Sequence, residues 1–354
     1  MDSFDIIIVG GGIAGANLGA ELAAHRRVLI VEAERHCGMH ATGRSAAFWL
    51  GSYGGPAVAP LTLASRRFLA PFLRQRGALH IARDVSRLPE VDGGILLGRS
   101  ALEDRVPGTR PDWACALFEE SCADIDVAAL HADCLARFRQ WGGTVRTDAS
   151  LVAAERQGNG WKIRLSDGGE VEAGVVVNAA GAWADAVAIG CGVRAIGIQP
   201  KRRTMVQLRV GQTGLKDLPL VIDAAESFYF KGEGDNIVWL SPHDEIDSDP
   251  CDAAPEEIDV AVAIHRFEQA VDWPIEAVER RWAGLRSFSR DRVPVYGFDP
   301  SADGFFWCAG QGGFGIQTAP AAAKLAASLL LGEALLEIVG HIDPELFSPG
   351  RFSR

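Results

Sequence analysis

The first 32 residues constrain the fold more than any other part of the chain. Asp5-Ile6-Ile7-Ile8-Val9 is an apolar, β-branched run of the length that fills a buried parallel strand. Gly10-Gly11-Gly12-Ile13-Ala14-Gly15 follows at once with G-x-G-x-x-G spacing. Ala16 to His25 reads as helix, and a second apolar strand, Val28 to Val31, ends on Glu32, 22 residues after Gly10. This is a βαβ unit that binds a dinucleotide, and each part has a physical reason. Gly10 permits the tight turn, Gly12 admits a pyrophosphate to the backbone, and Gly15 lets the helix pack on the strand. The helix N-terminus offers free N–H groups to the phosphates, and Glu32 is placed to accept hydrogen bonds from ribose hydroxyls.

The glycine pattern serves flavin and nicotinamide dinucleotides alike, and two other segments point to flavin. His40-Ala41-Thr42-Gly43-Arg44-Ser45-Ala46-Ala47 is a small-residue stretch where a nicotinamide dehydrogenase continues with helices and strands. Small side chains admit a bulky ligand, and Arg44 or Ser45 can reach phosphate oxygens. Near the other end, Phe305 to Ala309 reads as a strand, followed by Gly310-Gln311-Gly312-Gly313-Phe314-Gly315-Ile316-Gln317-Thr318 and a long helix with Pro320 near its start. With 39 residues left and no further strand ending in an acid, this loop is expected to cradle a flat ring. The positive end of its helix then faces the part of a flavin that becomes negative on reduction.

A chain of 354 residues is long enough for two domains, and a net charge of −11 argues against a nucleic-acid partner. The seven scattered cysteines form neither C-x-x-C pairs nor zinc spacings, which fits reduced thiols and a cytoplasmic location. The N-terminal residues do not read as a signal peptide. Ala321–Ile338, broken by Lys324, Glu333 and Glu337, reads as a buried helix rather than a membrane span. Leu130–Gly142 reads as an amphipathic helix, Trp161–Leu165 and Val171–Asn178 as strands, and 195–240 as strand-rich. The acidic Asp244–Glu257 stretch reads as a solvated loop, and His36 and His40 as structural.

These segments together resemble the D-amino acid oxidase superfamily of FAD enzymes, and within it the bacterial D-arginine dehydrogenase group. The resemblance also draws on Ala123-Asp124-Ile125-Asp126, Val177-Asn178-Ala179-Ala180-Gly181-Ala182-Trp183, Gln199-Pro200-Lys201-Arg202-Arg203, Glu226-Ser227-Phe228-Tyr229 and Trp282-Ala283-Gly284-Leu285-Arg286-Ser287-Phe288. It implies an α/β (α+β) fold. A Rossmann-like FAD domain from 1–78, 125–194 and 289–354 would be interleaved with a mixed or antiparallel-sheet substrate domain from 79–124 and 195–288. It implies flavin contacts from Gly10, Gly12, Ile13, Ala14, Gly15, Glu32, Ala33, Ala41, Thr42, Arg44, Ser45, Ala46, Ala47, Val152, Ala180, Gly181 and Trp183. Gly312, Gly313, Gly315, Ile316 and Gln317 complete the set.

For the substrate, the resemblance points to Arg202 and Arg286 as partners of a carboxylate, for which a planar, always-charged, bidentate guanidinium is suited. Tyr53 and Tyr229, two of only three tyrosines, match substrate-facing positions, and the Gly313 carbonyl would accept from the substrate amine. No protein nucleophile is needed: the amino acid is held with Cα–H over flavin N5, and the imino acid product hydrolyses to a 2-oxo acid and ammonia. Two positions depart from the group. Phe48 stands where that group has a histidine over the flavin. No carboxylate stands near Leu79 or His80, where a glutamate would meet a cationic side chain. An unpaired cation in such a pocket is costly to desolvate, so an apolar or small D-amino acid is expected. Cys308 reads as a buried, inert thiol. The same fold and carboxylate clamp also suit a glycine-, sarcosine- or proline-type amine oxidase, or a 2-hydroxy acid dehydrogenase. A flavin-binding protein without turnover is the reading from another class. Oxygen, a quinone or another carrier would reoxidise the flavin.

Overall fold

A computed structural model describes residues 2–352. The first strand, Asp2–Val9, runs parallel to Val28–Val31 on one side and Glu170–Asn178 on the other. Thr144–Arg146 extends the sheet beyond Val28–Val31, and Phe305–Ala309 joins the far end of Glu170–Asn178, both parallel. Val295–Phe298 closes that edge antiparallel, and the hairpin Leu151–Gln157/Gly160–Leu165 pairs with the first half of Glu170–Asn178.

Alternation along the first strand explains why both faces are covered. Ile6 and Ile8 are buried with helices Ile13–Leu22, Val127–Gln140 and Gly315–Leu331. Ile7 and Val9 point the other way, against Trp161 and Ile163 of the hairpin and Ala184 and Ala188 of helix Ala184–Gly190. A strand buried on both faces reads as a continuous apolar run, which is what the sequence shows. Each such side chain contributes about 1.5–3 kcal/mol when fully removed from water.

A second sheet of nine strands is largely antiparallel. Its longest pair is Gln199–Val210 with Ile275–Phe288; Ile237–Ser241, Tyr229–Gly232, Leu220–Asp223, Ala78–Ala82 and Cys115–Glu119 continue it. Its outer face packs Val206, Leu208 and Phe230 on helix Glu257–Glu268 through Val260, Ala263 and Phe267. Its inner face looks toward the nucleotide-binding sheet. A small third sheet, Phe48–Trp49, Ala123–Ile125 and Leu73–Gln75, lies between them in sequence and pairs Phe48 with Asp124. Asp124 binds Arg74, Arg76 and Lys231, tying this sheet to the Tyr229–Gly232 strand of the large one.

Gly10 adopts φ +107°, and a Cβ on Gly15 would stand 2.0 Å from the Gly10 carbonyl oxygen. The turn and the helix therefore touch backbone to backbone. Gly15→Ala should push the helix N-terminus off the turn. Overpacking of this kind costs about 1–3 kcal/mol, so the variant should bind FAD about tenfold or more weakly than the wild type in a flavin titration.

Candidate active site

The carboxyl ends of the parallel strands and the inner face of the antiparallel sheet enclose a cavity of about 570 Å³. At one end, Gly10, Gly12, Ile13 and Ala14 line it together with Glu32 and Ala33. Glu32 is held by the backbone, accepting from Gly11 N at 2.8 Å and Glu34 N at 3.0 Å. Helix Ile13–Leu22 has no capping side chain on its own N-cap residue, Gly12, and the Thr42 hydroxyl accepts from Ile13 N at 3.0 Å. Small residues Ala41, Ser45, Ala46, Ala47, Ala180 and Gly181, with Trp183, line the middle. Ala47 has φ +34°, a strained conformation for a residue with a side chain, and its N–H donates to Ser45 Oγ. Gly312, Gly313, Gly315, Ile316 and Gln317 line the far end, where helix Gly315–Leu331 starts without a side-chain cap.

That far end carries the polar chemistry. Arg286 lines the cavity and donates from Nη1 to the Tyr53 hydroxyl at 3.0 Å. Tyr229 is buried, and its hydroxyl reaches only the Met205 sulfur at 3.3 Å, a weak acceptor. Phe48 places its ring 5.9 Å from both tyrosine rings. A Cβ on Gly313 would lie 2.8 Å from the Tyr53 hydroxyl and 2.9 Å from Arg286 Nη1, so the missing side chain keeps this space open.

The second guanidinium on the cavity wall is Arg203, whereas Arg202, the position expected from the sequence, is not on that wall. Successive side chains on a strand point to opposite faces. Arg202 falls on the outer face with Val206 and Leu208, where it binds Glu256 and, at 2.9 Å, Asp259. Arg203 falls on the inner face with Met205, opposite Gly284, and lines the cavity. It is 4% exposed; Nε donates to the Asp244 carbonyl, while Nη1 and Nη2 have no hydrogen-bond partner among the described residues. Burial first, and the neighbouring Arg286 second, hold its pKa below the ordinary arginine value. The alternation was readable in the apolar Val206, Leu208 and Val210, which mark the even positions as facing a core.

Other expected positions fall elsewhere. Arg44 lines the cavity, but its guanidinium is taken by Asp252 and the carbonyls of Met39, Ala253 and Ala283, so it straps the small-residue loop to the second sheet. Val152 is 48% exposed, because a register shift between Leu151 and Ala153 leaves it unpaired; Ser150 and Leu151 line the cavity instead. Gly15 packs on Gly10 and is not among the lining residues. The Asp244–Glu257 loop is more than a solvated surface, since Asp244, Asp252 and Glu256 hold Thr204 and Arg203, Arg44 and Arg202. His40 bonds Glu34 at 2.9 Å and packs tilted against the Trp183 ring, at the cavity wall. Leu79 and His80 do not line the cavity. Burial pushes the Cys308 thiol up to about 12, and it too lies off the cavity wall.

Fold and cavity together define a flavin-dinucleotide oxidoreductase. The profile of the DAO family, FAD dependent oxidoreductase, matches residues 5–329, and the chain belongs to that family. Its cofactor is FAD. The chain is 28% identical over 182 residues to FAD-dependent oxidoreductase domain-containing protein 1 of Xenopus laevis; the match takes in 46% of this chain and spans 35% of that relative's length. It is 27% identical over 366 residues to a glycine oxidase of Geobacillus kaustophilus, covering 92% of this chain and 93% of the relative. Among solved structures, L-proline dehydrogenase from P. horikoshii superposes with a TM-score of 0.85 at 19% identity, covering 100% of this chain and 98% of that one. Glycine oxidase from Geobacillus kaustophilus does so with 0.81 at 21%, covering 98% of each.

Beside Arg203, His243 has φ +53° and donates from Nδ1 to the carbonyl of Glu226, itself at φ +56°. Burial, then Arg203, lowers the imidazole from 6.5 to about 4. The unfolded chain therefore binds a proton that the folded chain refuses between those values, and stability falls as pH drops through the window. His243→Gln lacks that proton site. Thermal melts from pH 6.5 to 4 should show the wild type losing on the order of 1–3 kcal/mol more than the variant.

Proposed function

We propose that the chain oxidises the Cα–N bond of a small or apolar amino acid, with FAD as the acceptor. The observation that carries this reading is a pair of buried guanidiniums with donors to spare: Arg203 meets the Glu245 and Asp244 carboxylates only at 3.5 and 3.7 Å, and its Nη1 and Nη2 have no hydrogen-bond partner among the described residues. Arg203 and Arg286 line the cavity beside two tyrosine hydroxyls, whereas among the described residues the carboxylates on its wall, Glu32 and Glu34, are at the nucleotide end. Two guanidiniums in a buried space call for a carboxylate, and theirs is the geometry that binds one bidentately.

FAD fits the rest of the cavity: glycine and alanine leave the room, Glu32 would hold the ribose, and the N-terminus of helix Ile13–Leu22, whose N-cap is Gly12, would hold the phosphates. Bound there, it supplies a two-electron acceptor for hydride. The chain's own residues do the positioning. Arg203 and Arg286 hold the substrate carboxylate, Tyr53 and Tyr229 complete its hydrogen bonds, and the Gly313 carbonyl accepts from the amine. Phe48 and Met205 form an apolar shelf for the side chain and keep water out. The amine reacts in its neutral form, and the released imino acid hydrolyses to a 2-oxo acid and ammonia. The D enantiomer is expected from the resemblance to D-amino acid dehydrogenases, and Phe48 together with a substrate end that has no carboxylate on its wall among the described residues disfavours arginine and lysine.

A glycine-, sarcosine- or proline-type amine oxidase is the second reading, and the likeness to a glycine oxidase over 92% of the chain supports its glycine form. Anaerobic mixing of the yellow protein with D- and L-amino acids, sarcosine, proline and 2-hydroxy acids separates the cases. Bleaching by apolar D-amino acids with release of ammonia supports the reading. Bleaching only by 2-hydroxy acids, or by none, overturns it. In the same assay Gly313→Ala should keep its FAD yet reduce it about 100-fold more slowly, the usual cost of an ångström-scale misplacement of substrate.

A further inference from the structure

We propose that Glu119 is a positioning residue that fixes Tyr53 against Arg286 by holding Ser52; the proposal rests on the amino-acid reading above. Tyr53 sits on a short connection between Phe48–Trp49 and helix Gly55–Leu69. Gln317 holds the backbone on both sides, accepting from Leu50 N at 3.3 Å and donating to the Tyr53 carbonyl at 3.1 Å. Gly54 and Gly55 follow with φ of +113° and +72°, so the backbone after Tyr53 has no side chain to brace it. The brace comes from Ser52, whose hydroxyl donates to Glu119 Oε2 at 2.7 Å.

Glu119 is an unusual group to find there. It ends strand Cys115–Glu119, is 5% exposed, and pairs with no lysine or arginine among the described residues. Its other oxygen accepts from Ser121 Oγ at 3.2 Å, and the nearest positive candidate is His80 Nε2 at 3.6 Å. Burial pushes the carboxyl up, but the nearby His80 ring at 3.6 Å and the hydrogen bond from Ser52 more than offset it and hold it below the usual carboxylate range. A buried carboxylate is costly unless hydrogen-bonded, so its hold on the serine is strong and directional. Glu119 is absent from the cavity wall and touches neither substrate nor cofactor. Its effect reaches the site through one residue, because Ser52 is adjacent to Tyr53 and Tyr53 receives the Arg286 hydrogen bond.

The test uses the FAD-loaded protein and Ser52→Ala, Glu119→Gln, the double variant, and Ser52→Thr as the conservative replacement. Hydrogen exchange across residues 50–56 reads the connection directly, and titration with benzoate, an unreactive carboxylate, reads the site through the flavin spectrum. Each single variant should exchange faster in that segment and bind benzoate about tenfold more weakly, the size of one charge-assisted hydrogen bond. The double variant should be no worse than either single, Ser52→Thr should restore both readouts, and FAD content should not change. Unchanged exchange in Ser52→Ala, whose side chain is at the surface and whose folding is not at risk, overturns the proposal. So does simple addition of the two single effects. If the wild type binds no benzoate, the amino-acid reading falls, and the exchange data still decide the role of Glu119.

Discussion

Two guanidinium groups share the inner face of the strand pair Gln199–Val210 and Ile275–Phe288, and the cavity is organised around them. Arg203 stands across from Gly284, and Arg286 lies two residues further along the same strand, so a carboxylate can meet both at once. Burial first, and repulsion from Arg286 second, hold Arg203 below its ordinary pKa, and an arriving carboxylate relieves both. The fold tolerates the repulsion because the sheet is fixed from behind. Phe230, Val206 and Leu208 pack on helix Glu257–Glu268, leaving the strands no freedom to turn the charges outward.

The second constraint is that the strand ends of one sheet and the inner face of the other must meet at one cavity. Backbone contact between Gly10 and Gly15 sets the nucleotide end, and charged straps set the distance to the substrate end. Arg44 joins the small-residue loop to the carbonyls of Ala253 and Ala283, while Asp124 joins the strand paired with Phe48 to Lys231, two residues after Tyr229. The side chains that shape the site are thus tied to both halves of the molecule. That placement is how a site assembled from distant segments holds its geometry.

Much of this was legible in the sequence. The βαβ opening is local: its strands, turn, helix and acid lie within 32 consecutive residues, and each obeys a pattern that needs no tertiary partner. The loop at 310–318 was legible for the same reason. The substrate end was legible in residue type and less so in detail. Arg286, Tyr53, Tyr229 and Phe48 all line the cavity, but the sequence motif points to Arg202 while Arg203 is the one on the wall, a one-residue difference that reverses the face. Val152 failed through a bulge that no periodicity announces. Arg44 was read toward phosphate because its true partners, Asp252 and the carbonyls of Ala253 and Ala283, are more than 200 residues away. Glu119 carried no motif and became visible only when its strand was laid beside His80.

The account stands on Arg203 being the guanidinium that meets the substrate. Anaerobic stopped-flow reduction of the flavin by the best amino acid, compared for Arg203→Lys and Arg202→Lys, tests it most directly. The account predicts that Arg203→Lys raises the apparent Kd by about tenfold or more, as loss of a bidentate charge-assisted contact should. Arg202→Lys, on the outer face against Glu256 and Asp259, should stay within about twofold of the wild type. The opposite ranking, with Arg202→Lys impaired and Arg203→Lys unaffected, would contradict it.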